Sequence, residues 1–139
     1  MRWGRIGVAG ALCLAGCMRG GLNLTPGPIR LYEGATQPAE SVAVIQNDPN
    51  MFLVSIDGQS LRRWTHTHDV VAIQVLPGKR ILVAQPSARA GFVSMDAVRI
   101  EFLAHAGHRY VISRRIGAGT ASTTWMPVFT DMTTGREVP

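Results

Sequence analysis

Cysteine is nearly missing from this chain: its only two cysteines, Cys13 and Cys17, both stand within the first 17 of 139 residues. Residues 18–139 therefore contain no thiol, which excludes both an intramolecular disulfide and a cysteine nucleophile from that part of the chain. Small domains of oxidising compartments often depend on disulfides. Here the fold has to depend on its hydrophobic core.

Several catalytic patterns are missing as well. The sequence has no Gly-x-x-x-x-Gly-Lys-Ser/Thr phosphate loop and no Gly-x-Ser-x-Gly nucleophile elbow. Asp48, Asp57 and Asp131 stand in or beside predicted turns, where aspartate accepts hydrogen bonds from the local backbone. These absences argue against an enzyme, which ranks third among the functions we consider.

The amino-terminal residues have the layout of a secretory signal peptide. Arg2 and Arg5 precede the uncharged apolar run 6–15, and small residues follow it. That run has about half of the roughly 20 residues that a membrane-spanning helix needs. We therefore predict a cleaved export signal over residues 1–16.

The end of this segment, Leu14-Ala15-Gly16-Cys17, resembles the lipobox of bacterial lipoproteins. The resemblance implies diacylglycerol on the Cys17 thiol, cleavage between Gly16 and Cys17, and acylation of the new amino terminus. The covalent lipid would anchor the chain to a membrane, and no other cofactor is expected. Met18 follows the cysteine where aspartate would favour inner-membrane retention in enteric-type sorting, so we expect the outer membrane, facing the periplasm.

The remaining chain divides into two parts. Residues 17–28 are rich in glycine and proline and indicate a lipidated cysteine with a flexible tether. Residues 29–139 are short enough for a single domain. Because two of the fourteen basic residues leave with the signal, the formal net charge falls from +5 to +3.

From residue 29 onward, short β-branched segments alternate with turn residues. No segment has a convincing helical period. The pattern predicts an all-β fold, a single antiparallel β-sandwich or small barrel of about seven to nine strands. The turns at Asp57-Gly58, Pro77-Gly78 and 106–108 are predicted to close hairpins. The predicted strands cover residues 29–32, 41–46, 51–56, 59–64, 70–76, 79–85, 97–102, 109–115, 125–131 and 136–138.

One of these segments alternates clearly between apolar and charged residues. Val98, Ile100 and Phe102 would face the core, while Arg99 and Glu101 would face water.

Beyond the lipobox, the chain resembles a group of small, mostly uncharacterised bacterial lipoproteins. Its central turn is also similar to the Pro-Glu-Gly-Ala turn of a surface-layer type of β domain, of which only Pro77-Gly78 is present. The resemblance implies an antiparallel β domain and no catalytic residues. The matching segments are Leu31-Tyr32-Glu33-Gly34, Ser55-Ile56-Asp57-Gly58, Leu76-Pro77-Gly78-Lys79, Ala106-Gly107-His108-Arg109-Tyr110, and Trp125 with Asp131-Met132-Thr133-Thr134-Gly135.

Four histidines are candidate metal ligands. His66 and His68 would share one face of an extended segment, and His105 and His108 flank a predicted turn. Together they could hold a divalent metal if the two segments met. The alternative, which we favour, is that they are solvated loop residues.

Two basic pairs, Arg62-Arg63 and Arg114-Arg115, could contact an anionic partner such as lipid headgroups or an acidic protein surface. The alternative is charge that discourages aggregation at strand edges. A nucleic acid partner is not expected, since an exported domain does not meet chromosomal DNA.

These observations favour a lipid-anchored envelope domain that acts by binding or by supporting an envelope assembly with a protein partner. A small metal- or ligand-binding periplasmic sensor is the alternative.

Overall fold

A computed structural model describes residues 27–65, 70–87, 96–117 and 125–139. The predicted signal peptide, the lipobox with Cys17, and most of the tether lie outside the described residues, as do His66 and His68. Within the described ranges, no helix has both the length and the apolar character required to span a membrane.

Strands make up 55% of the described part of the chain and no long helix is present there, which confirms the all-β prediction. A 3-10 helix, Ala39–Ser41, precedes the second strand, and one short helix, α1 (Arg62–Thr65), follows the fourth. The elements are β1 (Ile29–Arg30), β2 (Ala43–Asn47), β3 (Met51–Ile56), β4 (Gln59–Ser60), α1 (Arg62–Thr65), β5 (Ala72–Val75), β6 (Gly78–Pro86), β7 (Val98–Ala104), β8 (Arg109–Ile116), β9 (Trp125–Asp131) and β10 (Arg136–Glu137).

The strands form two sheets, and neither closes into a barrel. The first has six strands in the order β1-β5-β2-β8-β9-β10, and the second has four in the order β4-β3-β6-β7. Most neighbours are antiparallel, but β1 runs parallel to β5 and β2 runs parallel to β8. The prediction of a wholly antiparallel fold was therefore wrong.

Two of the three predicted hairpins are instead connections between the sheets. β5 and β6, joined at Pro77-Gly78, lie in different sheets, and so do β7 and β8, joined by residues 105–108. The positive φ of Gly78 (126°) and Gly107 (75°) lets the chain reverse in either case. Of these three turns, Asp57-Gly58 is the one that joins two paired strands, β3 and β4.

The predicted strand over residues 59–64 was also wrong, because β4 ends at Ser60 and α1 follows. Leu61 is fully buried and its N–H donates to the Val54 carbonyl over 2.9 Å. The Leu61 carbonyl then accepts from the N–H groups of Trp64 and Thr65. Buried Leu61 thus connects the end of β4 to the helical turn through its backbone hydrogen bonds.

One hydrophobic core contains residues of both sheets. Ile45, Ile73 and Ile112 from the six-stranded sheet are fully buried, as are Leu53 and Leu82 from the four-stranded sheet.

The alternation predicted for β7 is confirmed. Phe102 is buried, Val98 and Ile100 are partly buried against the core, and Arg99 and Glu101 are exposed.

A buried asparagine holds the passage from β2 to β3, which belong to different sheets. Asn47 is 1% exposed, and its side-chain NH2 donates to the carbonyls of Met51 (2.7 Å) and Asp48 (2.9 Å). Its Oδ1 accepts the Val71 N–H over 2.8 Å. A single side chain thereby satisfies buried backbone groups of three segments.

Candidate histidine–aspartate cleft

The turn between β7 and β8 brings two of the four predicted histidines together. The ring centroids of His105 and His108 are 5.2 Å apart. The turn is closed by the His108 N–H, which donates to the His105 carbonyl, and it is tied to the domain by the Gly107 N–H, which donates to the Val42 carbonyl. A Cβ at Gly107 would meet the Glu40 carbonyl oxygen at an ordinary contact distance of 3.5 Å, so glycine is favoured here by the positive φ of 75° and not by lack of space.

Asp131, the last residue of β9, lies beside this turn. Its Oδ2 is 2.8 Å from His108 Nδ1, and its side chain is only 9% exposed. Its Oδ1 accepts the N–H groups of Thr133 (2.9 Å) and Thr134 (3.3 Å). The local backbone bonds predicted for this aspartate are confirmed.

The contact between Asp131 and His108 was missed by sequence reasoning. The antiparallel register of β8 and β9 pairs Tyr110 with Asp131, and this register places the carboxylate next to His108. His108 and Asp131 are 23 residues apart in the sequence, so the correct register of β8 and β9 would have been the signal needed to find the contact.

The surroundings of Asp131 favour its charged form. Burial by itself would raise the pKa of this carboxyl, but the hydrogen bonds from His108, Thr133 and Thr134 outweigh burial and lower the pKa. An ionised Asp131 accepts the Nδ1–H of His108, which leaves Nε2 as the acceptor of a neutral imidazole.

Tyr110 forms the floor beneath the histidines. Its side chain is 1% exposed, and its ring packs against those of Phe102 and Phe129 at centroid distances of 5.2 and 5.5 Å. Its hydroxyl accepts the His105 N–H (3.0 Å) and donates to the Leu103 carbonyl (3.4 Å). Burial raises the pKa of Tyr110, so the phenol stays protonated.

These groups open onto a cleft of about 480 Å³, which we name the histidine cleft. It runs between β7 and the turn that joins β9 to β10. An aromatic floor and a wall that carries hydrogen-bonding groups are the features of a binding site. The lining residues are Glu101, Phe102, Leu103, His105, His108, Tyr110, Asp131, Thr134, Arg136, Glu137, Val138 and Pro139.

The structure places the other aspartates among structural contacts. Asp48 Oδ1 accepts the Asn50 N–H over 2.7 Å, which is the local bond predicted for it. Asp57 instead bonds to β6: Oδ1 accepts the Ile81 N–H (2.8 Å) and Oδ2 pairs with Arg80 Nη1 (2.9 Å). For Asp57 the prediction of purely local bonds was wrong.

The four-histidine metal site stays a prediction, because His66 and His68 lie outside the described residues. Within the described ranges, no group of three or more His, Cys, Asp and Glu side chains could hold a metal ion.

The two arginine pairs lie on different elements. Arg62 and Arg63 are exposed on α1, with the Arg63 guanidinium 4.8 Å from the Trp64 ring centroid. Arg114 and Arg115 are on β8, and Arg115 pairs with Glu137. Contact with an anionic partner stays a prediction for both pairs.

Fold and cleft together define the class of this chain: an all-β domain of two sheets with a histidine–aspartate pair at the wall of an open cleft. Comparison with protein-family models found no match, and comparison with the curated proteins and with the solved structures found none either. The resemblance to small bacterial lipoproteins therefore continues to depend on the sequence segments alone.

Proposed function

We propose that this chain is a lipid-anchored domain of the bacterial cell envelope, on the periplasmic side of the outer membrane, that acts by binding an envelope partner. The signal-like segment 1–16 and the lipobox ending at Cys17 support the anchor. The glycine- and proline-rich tether would keep the domain close to its membrane, because a coil of about ten residues spans roughly 15–20 Å.

We further propose that the two sheets pack face to face as a β-sandwich. Support comes from the single core cluster, to which strands of both sheets contribute buried side chains. Such a scaffold is rigid, so groups at its turns and rims can be held ready for a partner.

The observation that carries the binding role is the His108–Asp131 pair at the wall of the histidine cleft. Asp131 fixes the orientation of the ring and, in a neutral imidazole, also its tautomer, so His108 offers a positioned Nε2 beside an aromatic floor. A partner segment with a hydrogen-bond donor next to an apolar side chain would fit this arrangement.

A histidine bonded to an aspartate also makes up two of the three residues of a Ser-His-Asp hydrolase triad, so catalysis is a competing function. In such triads the second ring nitrogen of the histidine takes the proton of a serine hydroxyl. In the part of the chain that the structure describes, the hydrogen bond of the His108 side chain goes to Asp131 and none goes to a hydroxyl group. Binding is therefore the function that the geometry supports better.

A photo-crosslinking experiment in native membranes tests the proposal. A photoreactive amino acid at Thr134, inside the histidine cleft, should yield a crosslinked partner, while the same group at exposed Gln59 on β4 should not. Adding His108→Ala to the Thr134 variant should abolish the adduct. Equal adducts at both positions, or an adduct indifferent to His108, would refute a binding role for the cleft.

A metal-binding sensor is the second candidate, favoured by one observation. A carboxylate on the far nitrogen of a histidine is the usual support of a metal-ligating imidazole, and His105 lies 5.2 Å from His108 by ring centroids. If this reading is correct, zinc, copper or nickel at micromolar levels will raise the melting temperature saturably. The shift should disappear in the His105→Ala/His108→Ala pair, and no shift would leave partner binding as the function.

A further inference from the structure

The four sheet edges of this domain differ greatly in length. Three of them, β1, β4 and β10, are strands of two residues each, while the fourth, β7, has seven. Among the described strands, β6 is the one that pairs with β7, so no described strand lies on the opposite side of β7. An edge strand of this length presents a row of backbone donors and acceptors to another strand.

We infer that β7 pairs with β7 of a second copy of this chain, antiparallel, about a two-fold axis at Ile100. Two four-stranded sheets would then join into one sheet of eight strands. A two-fold axis requires the same strand on both copies and an antiparallel direction. The inference goes beyond the binding role proposed above and does not rest on it, although Glu101, Phe102 and Leu103 of β7 also line the histidine cleft, so the second copy would lie beside that cleft.

Charge complementarity selects this register. With Ile100 opposite itself, Arg99 stands directly opposite Glu101 of the second copy, and Glu101 opposite its Arg99. Opposite charges in directly facing positions stabilise a strand pair. Within one copy the two side chains form an ion pair of 2.6 Å but remain 58% and 69% exposed, so both can reach across.

Other symmetric registers lose this match. A two-fold axis at Arg99 or at Glu101 would place like charges opposite each other, which destabilises a strand pair. An axis at Phe102 would put Glu101 opposite Leu103 and Arg99 opposite His105. The apolar residues of β7 fit the Ile100 axis as well.

On the core-facing side, Val98 would lie opposite Phe102 of the second copy, and Ile100 opposite Ile100. Val98 and Ile100 are only partly buried in one copy, although both pack against the core. On the outer face, Leu103, which is 52% exposed, would lie opposite Ala97. Pairing in this register thus covers the apolar surface that the open edge leaves accessible.

Charge exchange in the full-length mature lipoprotein tests the inference. Arg99→Glu creates two Glu–Glu pairs and Glu101→Arg creates two Arg–Arg pairs, whereas the double exchange restores two opposite pairs. Masses measured by sedimentation in detergent, over a range of concentrations, should show a dimer for the wild type and at least about tenfold weaker dimers for each single variant. The double variant should return to near wild-type affinity.

Arg30→Glu is the matched control, since it makes the same charge change at an exposed position of β1, in the other sheet. It should dimerise like the wild type. Any of three results would overturn the inference. The wild type could stay monomeric over the whole concentration range, the single variants could dimerise as well as the wild type, or the double variant could stay monomeric.

A cysteine placed on the axis gives an independent measurement in native membranes. Because Ile100 would face itself, Ile100→Cys should crosslink to a second copy on oxidation, whereas Leu103→Cys should do so far less. Crosslinking of Ile100→Cys to a different envelope protein would show that another strand occupies the edge, and it would overturn the self-association.

Discussion

Asp131 connects two turns that are far apart in the sequence. Its carboxylate holds the backbone of Thr133 and Thr134 at the start of the last turn, and it holds the ring of His108 at the turn between β7 and β8. The residue is therefore both a structural tie and the part of the histidine cleft that fixes the tautomer of His108.

This arrangement predicts an acid-dependent stability. Because the pKa of Asp131 is lowered in the folded state, its ionised form stabilises the fold above the ordinary value of 3.8, and this contribution is lost as the pH falls through the folded pKa. The free energy of unfolding, measured by guanidinium denaturation, should therefore fall steeply below about pH 4. Asp131→Asn should weaken that fall and cost about 1–3 kcal/mol at neutral pH.

The exposed carboxylate of Glu33 provides the control for this measurement. Glu33→Gln should leave both the neutral stability and the acid slope close to those of the wild type. An Asp131→Asn variant with an unchanged acid slope would contradict the role assigned to the carboxylate.

Tyr110 supports a second prediction at this scale. Tyr110→Phe keeps the ring packing but leaves the part-buried His105 N–H without its acceptor, so the free energy of unfolding should fall by about 1–2 kcal/mol. Thermal denaturation measures this loss. Tyr32→Phe, at a partly exposed ring, should cost less than half as much, and equal losses would mean that the Tyr110 hydroxyl is not structurally important.

At the scale of elements, the bounds of the strands were easier to predict than which strands pair with one another. The bounds of β3 and β9 match the predicted segments 51–56 and 125–131, because alternation and turn residues mark a strand locally. The partners of β5 and β8 were missed. A Pro-Gly or Ala-Gly-His turn reverses the chain in the same way whether the next strand joins the same sheet or the opposite one.

Asn47 stabilises the connection between β2 and β3, which belong to different sheets. Asn47→Ala removes an acceptor for the Val71 N–H and a donor for the Met51 carbonyl, both in buried surroundings. We expect a loss of about 2–4 kcal/mol in the free energy of unfolding, measured by denaturant titration.

Asn50→Ala, three residues further along the same turn, is the matched control. The side chain of Asn50 is exposed, and its backbone N–H keeps its bond to Asp48. Its loss should stay below about 0.5 kcal/mol. If the two variants unfold alike, Asn47 does not organise the connection between β2 and β3.

At the scale of the whole molecule, the lipid anchor is the property most open to a direct test. Stable membrane attachment takes more than one acyl chain, and diacylglycerol on Cys17 would supply two. Cys17→Ser should therefore either release the domain from the membrane or leave uncleaved precursor. Fractionation with detection of precursor and mature forms measures this outcome.

Cys13→Ser is the control, since Cys13 lies inside the predicted signal and carries no lipid in this proposal. It should be processed and anchored normally. A Cys17→Ser protein that is fully processed and still held in the membrane would refute the lipoprotein assignment.

The sequence by itself determined the properties that depend on neighbours along the chain. Alternation in β7 decided which of its residues face the core, and the turn chemistry of Asp57-Gly58 decided one true hairpin. The local backbone bonds of Asp131 also followed from its place before a turn. Such features require only steric limits and short-range hydrogen bonds.

Only the tertiary structure decided which strands lie side by side, and the candidate site follows from that choice. The distribution of the strands over two sheets, the parallel pairing of β2 with β8, and the register of β8 with β9 depend on burying apolar faces from distant segments in one core. That register alone brings His108 to Asp131. The tertiary structure likewise decides that β7 is an edge strand, because β7 is the last strand of the four-stranded sheet and pairs only with β6 among the described strands.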